Sequence, residues 1–231
     1  IGPAYEDKVG RRSIRVMDLR SEKNLDQRLQ SVLKHHNAIR KGLGKNIFEK
    51  DQLKKDLLKI GGASGYWGDA SQATEQLLRH DDLDFIVYDY LAEITMAIMA
   101  RVKAKDPNVG YATDFISEAM VPNLKRISET NTKIISNAGG VNPSACAIIL
   151  REKIEGQGLS LRVAVIEGDN LFPGIDNIKS LKPTEMFSGN EFPEKEKIGS
   201  INAYFGAQPI VRALEKGADI VITGRLSLIH I

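Results

Sequence analysis

The hydrophobic pattern changes character once along the chain, near residue 57. Before that point one helical stretch stands out. Leu25, Leu29, Val32, His36 and Ile39 recur at three- and four-residue steps and so share one helix face. Gly42 and Gly44 end the pattern. Residues 1–20 hold no lasting period. Arg11, Arg12 and Arg15 surround Ile14, Val16 and Met17, a pattern that fits a short edge strand or an extended arm.

After residue 57 short apolar runs alternate with polar or glycine-rich turns and, in most cases, helices. Strands are predicted at 57–60, 85–88, 133–136, 161–166 and 219–222. Helices are predicted at 71–79, from Leu91 through Val102, and at 201–216 with Gly217 as the stop. Another starts at Pro143, with Asn142 as its cap. The spacings leave room for the crossovers that parallel neighbours need. The expected fold is therefore α/β: a three-layer, Rossmann-like domain with a mostly parallel sheet and helices on both faces.

Residues 168–199 interrupt the alternation. They hold Pro173, Pro183 and Pro193 and are too many for a bare loop. A lid, a small subdomain or a partner-contact arm is expected there. The domain reading is a basic appendage with an amphipathic helix at 1–50 and an α/β domain at 51–231. Leu226–Ile231 follows the last strand where a helix is due, so the α/β domain reads as cut at that point. The opening Ile in place of Met raises the same question for the start.

Composition narrows the classes. The 231 residues are 42% hydrophobic and 27% charged, which fits a soluble globular chain rather than a disordered one. No apolar run reaches the length of a membrane span. One cysteine rules out an internal disulfide and fits a reducing compartment. The net charge of +2 hides an asymmetry. Residues 1–50 hold 12 Lys or Arg against 6 Asp or Glu, and the remainder hold 20 against 24. The mildly acidic body argues against a nucleic-acid enzyme. The basic helix reads as a packing element, or as a partner-binding or mitochondrial targeting segment. The cytoplasm is the expected compartment, with a mitochondrial one as the alternative.

In parallel α/β proteins ligands bind outside the carboxyl ends of the strands, where helix N-termini offer free N–H groups. Five loops fall there. The first, Gly61–Asp69, holds Gly62, Ser64, Gly65, Trp67, Gly68 and Asp69. Its glycines permit close backbone approach to a phosphate or carboxylate, or simply a tight turn. It lacks the Lys-Ser or Lys-Thr of a Walker A loop. Asp89 and Glu93 follow the second strand, and Glu167 and Asp169 the fourth. Asp89, Glu93 and Glu167 are candidates for acid–base work. With Asp169 they are also the carboxylates that could hold Mg²⁺, or mere helix-start decoration.

Asn137, Gly139, Gly140 and Asn142 would present donors to an anion or carbonyl. Asn202 and Tyr204, at the start of the 201–216 helix, and Arg225, after the last strand, complete the set. Arg225 is the fork-shaped cation suited to a carboxylate or phosphate. Cys146 sits among Ala145, Ala147 and Ile148 and reads as a packing residue. With no histidine near it, a His-based triad or His-ligated zinc is not expected.

Several of these stretches together resemble the acyclic terpene utilisation protein AtuA family. They are Ile60–Asp69, Asp89–Met96, Asn137–Pro143, Glu167–Asp169, Ile201–Ala207 and Thr223–Arg225. The resemblance covers residues 57–225, and residues 1–50 take no clear part. It implies a cytoplasmic protein of acyclic terpene breakdown, a route that runs through CoA thioesters. It also implies a longer α/β domain, continuing past the Thr-Gly-Arg turn. A small anionic substrate such as a CoA thioester is the partner it suggests; a homo-oligomeric assembly is a separate expectation. The expected role is a metabolic enzyme or enzyme component. A non-catalytic ligand-binding or scaffold module is the alternative.

Overall fold

A computed structural model describes residues 7, 9–14, 21–55, 58–64, 67–68, 71–79 and 83–226. The chain forms two compact units, Ile1–Leu57 and Leu58–Ile231.

The N-terminal unit is built on helix α1, Glu22–Gly42, and the short helix α2, Lys50–Lys55. Ser21 caps α1 by accepting from the Asn24 N–H at 3.4 Å. The buried stripe is Leu25, Leu29 and Leu33. Val32 is only half-buried and Ile39 is exposed, so the true stripe departs from the predicted face after Leu29. α2 packs on α1, which carries the unit past the expected boundary at residue 50. Asp7 accepts from His36 and from Arg12 at 3.2 Å. Those two partners, His36 first, hold its carboxyl below the usual range despite some burial. Val16 and Met17 lie outside the described residues.

The second unit is a five-stranded, all-parallel sheet. The strands are β1 Ile60–Ser64, β2 Phe85–Asp89, β3 Lys133–Ser136, β4 Val163–Ile166 and β5 Ile220–Thr223. Their order is β1-β2-β3-β5-β4. β5 is enclosed by β3 and β4, and all four of its residues are buried. Between the strands run α3 Ala73–Leu78, α4 Glu93–Lys105, a π-helical turn Phe115–Met120, and α5 Leu124–Thr130. They are followed by α6 Pro143–Gly156, α7 Ile175–Ser180 and α8 Gln208–Glu215.

The pleat divides the core. Ile86, Tyr88, Ile134, Ile220 and Ile222 pack with Met99, Phe115, Leu124, Cys146 and Leu150 on one face. Val221 points the other way, toward Ile166, Ala213 and Leu214, so α8 covers β4 and β5 from behind. The fold is therefore the expected three-layer α/β. The chain passes from β3 over to β4 and returns to β5, and this reversal sends α6 and α8 to opposite faces. Phe85, Val87 and Ile135 on the second face are only half-buried. Each fully buried Ile of β5 is worth ~1.5–3 kcal/mol in apolar transfer.

Two boundaries differ from the sequence reading. β1 continues to Ser64, so Gly61 and Gly62 are strand residues, in register with Ile86 and Val87. A Cβ on Gly61 would lie 3.1 Å from both Leu77 and Leu83, so only glycine fits there without adjustment. The last helix starts at Gln208 rather than Ile201. Pro209 sits in its first turn and disfavours helix before it. Residues 201–205 instead run extended, with Ala203 N donating to Asp169 O and Phe205 N to Arg225 O. The 168–199 excursion folds as α7, 3-10 turns and an isolated Thr184–Glu191 bridge. Among the described residues no helix is long and apolar enough to cross a membrane.

Candidate functional site

The carboxyl ends of β2, β4 and β5 bring the candidate residues into two linked clusters. In the first, Arg225 follows β5 and is 11% exposed in its side chain. Its Nη1 donates to Leu91 O at 2.8 Å. Its Nη2 donates to Glu93 Oε1 at 2.5 Å and to the Tyr204 hydroxyl at 2.9 Å. The same hydroxyl donates to Glu93 Oε1 at 3.2 Å. The guanidinium carbon also lies 4.6 Å from the centre of the Tyr204 ring. Two donors thus converge on one carboxylate oxygen, and the carboxylate belongs to a side chain 82% exposed.

Glu93 opens α4. Thr95 caps that helix start by accepting from Ala92 N at 2.7 Å and donating to Ala92 O. Glu93's own backbone N–H, then Arg225 and Tyr204, hold its carboxyl below the usual range. It is ionised at neutral pH, which suits charge pairing better than proton donation.

The second cluster fixes Arg225 from behind. Asp169 is 3% exposed and accepts from Arg225 N and from Asn202 Nδ2, both at 3.0 Å. Asn202 also bridges to Asn170 across the antiparallel contact. The Thr223-Gly224-Arg225 turn presses on Asp169 so closely that a Cβ on Gly224 would overlap the carboxylate. Asp169 is thus a fastener for the turn that aims Arg225. A cleft of about 240 Å³ opens beside the pair, lined by Glu93, Met96, Ala97, Asn202, Tyr204 and Arg225.

The other predicted residues lie elsewhere or are engaged within the protein. Asn137 is buried, with Oδ1 accepting from Tyr90 N and Nδ2 donating to Asp89 Oδ1 at 2.7 Å. Asp89 also accepts from Leu91 N at 3.4 Å, which shapes the loop that carries the Leu91 carbonyl to Arg225. Asn142 occupies the cap position of α6 but makes no side-chain cap bond. Its amide donates instead to Pro107 O and Val109 O, both at 2.8 Å, because that loop crosses its helix start. Gly139 and Gly140 are demanded by packing. A Cβ on Gly139 would lie 2.6 Å from Thr223 O, and Gly140 has φ +54 beside Gly110 O and Met99.

Glu167 accepts from Ser144 at 2.5 Å on an exposed edge. Trp67 packs against the main core, and Gly68 N donates to Asp114 at 3.1 Å. Gly65, Asp69 and the Ser64 side chain lie outside the described residues. Asp89, Glu93, Glu167 and Asp169 are thus held by different donors. Among the described residues no three His, Cys, Asp or Glu side chains stand together as metal ligands would. Cys146 is fully buried, and burial pushes its thiol up to about 12. Sequence reasoning did not single out Leu91 O, Ser200 or Lys103, all of which border the site's clefts or bond within it. A backbone carbonyl and single polar residues within helix and loop carry no pattern by which to find them.

These observations define an all-parallel three-layer α/β protein with a cleft, lined by Glu93, Tyr204 and Arg225, at the carboxyl edge of the sheet. The chain belongs to the acyclic terpene utilisation family of AtuA proteins, whose profile matches residues 58–227. The adenylosuccinate synthetase profile matches residues 1–83 and overlaps the first strand of the sheet. Curated relatives of that kind are adenylosuccinate synthetases of Wolbachia. The one from Wolbachia pipientis subsp. Culex pipiens (strain wPip) is 50% identical over 60 residues, which is 26% of this chain and 14% of the relative. The one from Wolbachia sp. subsp. Drosophila simulans (strain wRi) gives the same figures. The chain thus spans about 14% of the length of these relatives. No solved structure matches the chain. The synthetase-like segment includes the basic helix, which the sequence reading took as a packing element or as a partner-binding or targeting segment.

Proposed function

We propose that the α/β unit is part of a metabolic enzyme that binds an anionic acyl substrate at Arg225 and Tyr204. Branched or acyclic terpene-derived acids, carried as CoA thioesters, are the substrate class of this reading. The observation that carries the anion site is the convergence of Arg225 Nη2 and Tyr204 Oη on Glu93 Oε1. Glu93 is exposed and sits where a substrate carboxylate or thioester oxygen would be received. An incoming anion takes over donors that are already oriented, so little reorganisation is needed. The family's description supports a role in acyclic terpene use. Cytoplasmic residence and a homo-oligomer are parts of the same proposal, as is a division into an N-terminal appendage and an α/β domain.

Calorimetric titration of the chain with CoA, short acyl-CoAs and the free acids tests this. Saturable binding that Tyr204→Phe weakens supports it. The absence of saturable binding by any of them overturns it. Asp89 enters this reading as a loop-shaping group. Once an activity is in hand, unchanged turnover in Asp89→Asn would remove it from catalysis.

One observation favours a second reading, a binding or scaffold module. Leu181, Met186 and Phe187 of the excursion are 80%, 83% and 88% exposed. Purine-nucleotide handling by the N-terminal unit is a separate proposal, supported by its likeness to adenylosuccinate synthetases. Titration with adenylosuccinate checks it.

A further inference from the structure

The cleft at Arg225 is one end of a longer groove along α4. A second cleft of about 410 Å³ is lined by Ala100, Lys103 and Ala104 of that helix and by Phe172 and Ile198 across from it. Ser200 and Asn202 line both clefts and join them. The wall between the two ends is small and apolar, formed on α4 by Met96, Ala97 and Ala100. Charge sits at the ends. Arg225 stands at one, and Arg101 and Lys103 line the other. Lys103 Nζ donates to Val141 O at 2.6 Å and keeps two further N–H donors.

From Glu93 to Lys103 the helix rises about 15 Å. A small cleft beside Lys103 is also bordered by Glu167 and Asp169.

We propose that the groove binds a linear anion with two charged heads and an apolar middle. One head lies on Arg225 and Tyr204, the chain lies against Ala97 and Ala100, and the second head meets Arg101 and Lys103. This rests on the reading of Arg225 as an anion receptor, and adds a length and a second head to it. A saturated chain of twelve carbons spans about 12–13 Å between its end carbons, taking three backbone bonds per extended residue of 3.3–3.6 Å, and its carboxylate oxygens reach across the remainder.

The test titrates the full chain with butyrate, dodecanoate and dodecanedioate, kept below micellar concentrations. Dodecanedioate is expected to bind about fivefold tighter than dodecanoate, the size of one exposed charge pair. Arg101→Glu, an exposed helix position, is expected to erase that difference and leave butyrate unchanged. Equal affinities for the two long acids, or a silent Arg101→Glu, overturn the second head. If Tyr204→Phe still weakens all three acids in that case, the Arg225 receptor stands. No binding of any of the three acids overturns this proposal, and the acyl-CoA titration then decides the receptor by itself.

Discussion

Glu93 and Arg225 were each legible as single residues, because they lie at a helix start and just past a strand end, whereas Tyr204 was singled out through a helix start that lies instead at Gln208. The meeting of the three was not legible, since Tyr204 and Glu93 are separated by 111 positions in the chain. The internal carboxylate has a consequence. Glu93→Gln removes the anion that competes for Arg225 and Tyr204, so butyrate should bind about fivefold tighter, measured by calorimetry. Weaker binding would show that Glu93 contacts the ligand itself. Cys146 was read as a packing residue from its apolar neighbours, and its fully buried position agrees. Burial keeps its thiol protonated, so the native protein should resist a thiol reagent at pH 8 and react only in denaturant.

Asp219 had no role in the sequence reading. It accepts from Lys133 Nζ at 2.5 Å and from Arg162 N at 2.8 Å. Burial works against its charge, but Arg162 N–H and Lys133 outweigh it and leave the carboxyl below its usual value. A lowered folded-state value means its stabilisation is complete above the unfolded carboxyl's ordinary 3.8. The contribution is then lost as pH falls from there through the folded value. Asp219→Asn should flatten that part of the pH–stability curve and cost about 1–2 kcal/mol at pH 7, measured by urea unfolding.

At the scale of elements, strands were easier to read than their limits. β2 and β3 carry enough β-branched and aromatic residues to be recognised by composition, whereas β1 holds Gly61 and Gly62 and looked like loop. Glycine can occupy β1 because its partner β2 supplies the ladder, and Gly61 lets the Leu77 and Leu83 side chains pack close without shifting. The same contrast separates two substitutions. Gly140→Ala forces a left-handed backbone and a clash with Met99 and Gly110 O, so it should cost about 2 kcal/mol or more. Gly62→Ala meets nothing within 4 Å and should be neutral or mildly stabilising in the same urea assay. The segment before α8 was misread as helix because its apolar spacing was ambiguous. Long-range bonds to Asp169 O and Arg225 O hold it extended, and so place Asn202 and Tyr204 at the site.

For the whole molecule, the sheet and its core lie entirely within residues 58–231. A chain of those residues is expected to fold alone, with a cooperative thermal transition by circular dichroism. Loss of cooperativity would make the N-terminal unit a required part of the fold. The basic helix and the sheet unit also match different families, which the pooled charge and composition concealed. By itself the sequence determined roughly where the five strands and the longer helices fall and that the strands run parallel, because these follow from local periodicity and crossover length. Only the tertiary structure decided the order β1-β2-β3-β5-β4, the opposite faces of α6 and α8, and the convergence on Glu93. Those depend on packing and hydrogen bonds between residues far apart in the chain, which leave no local pattern to read.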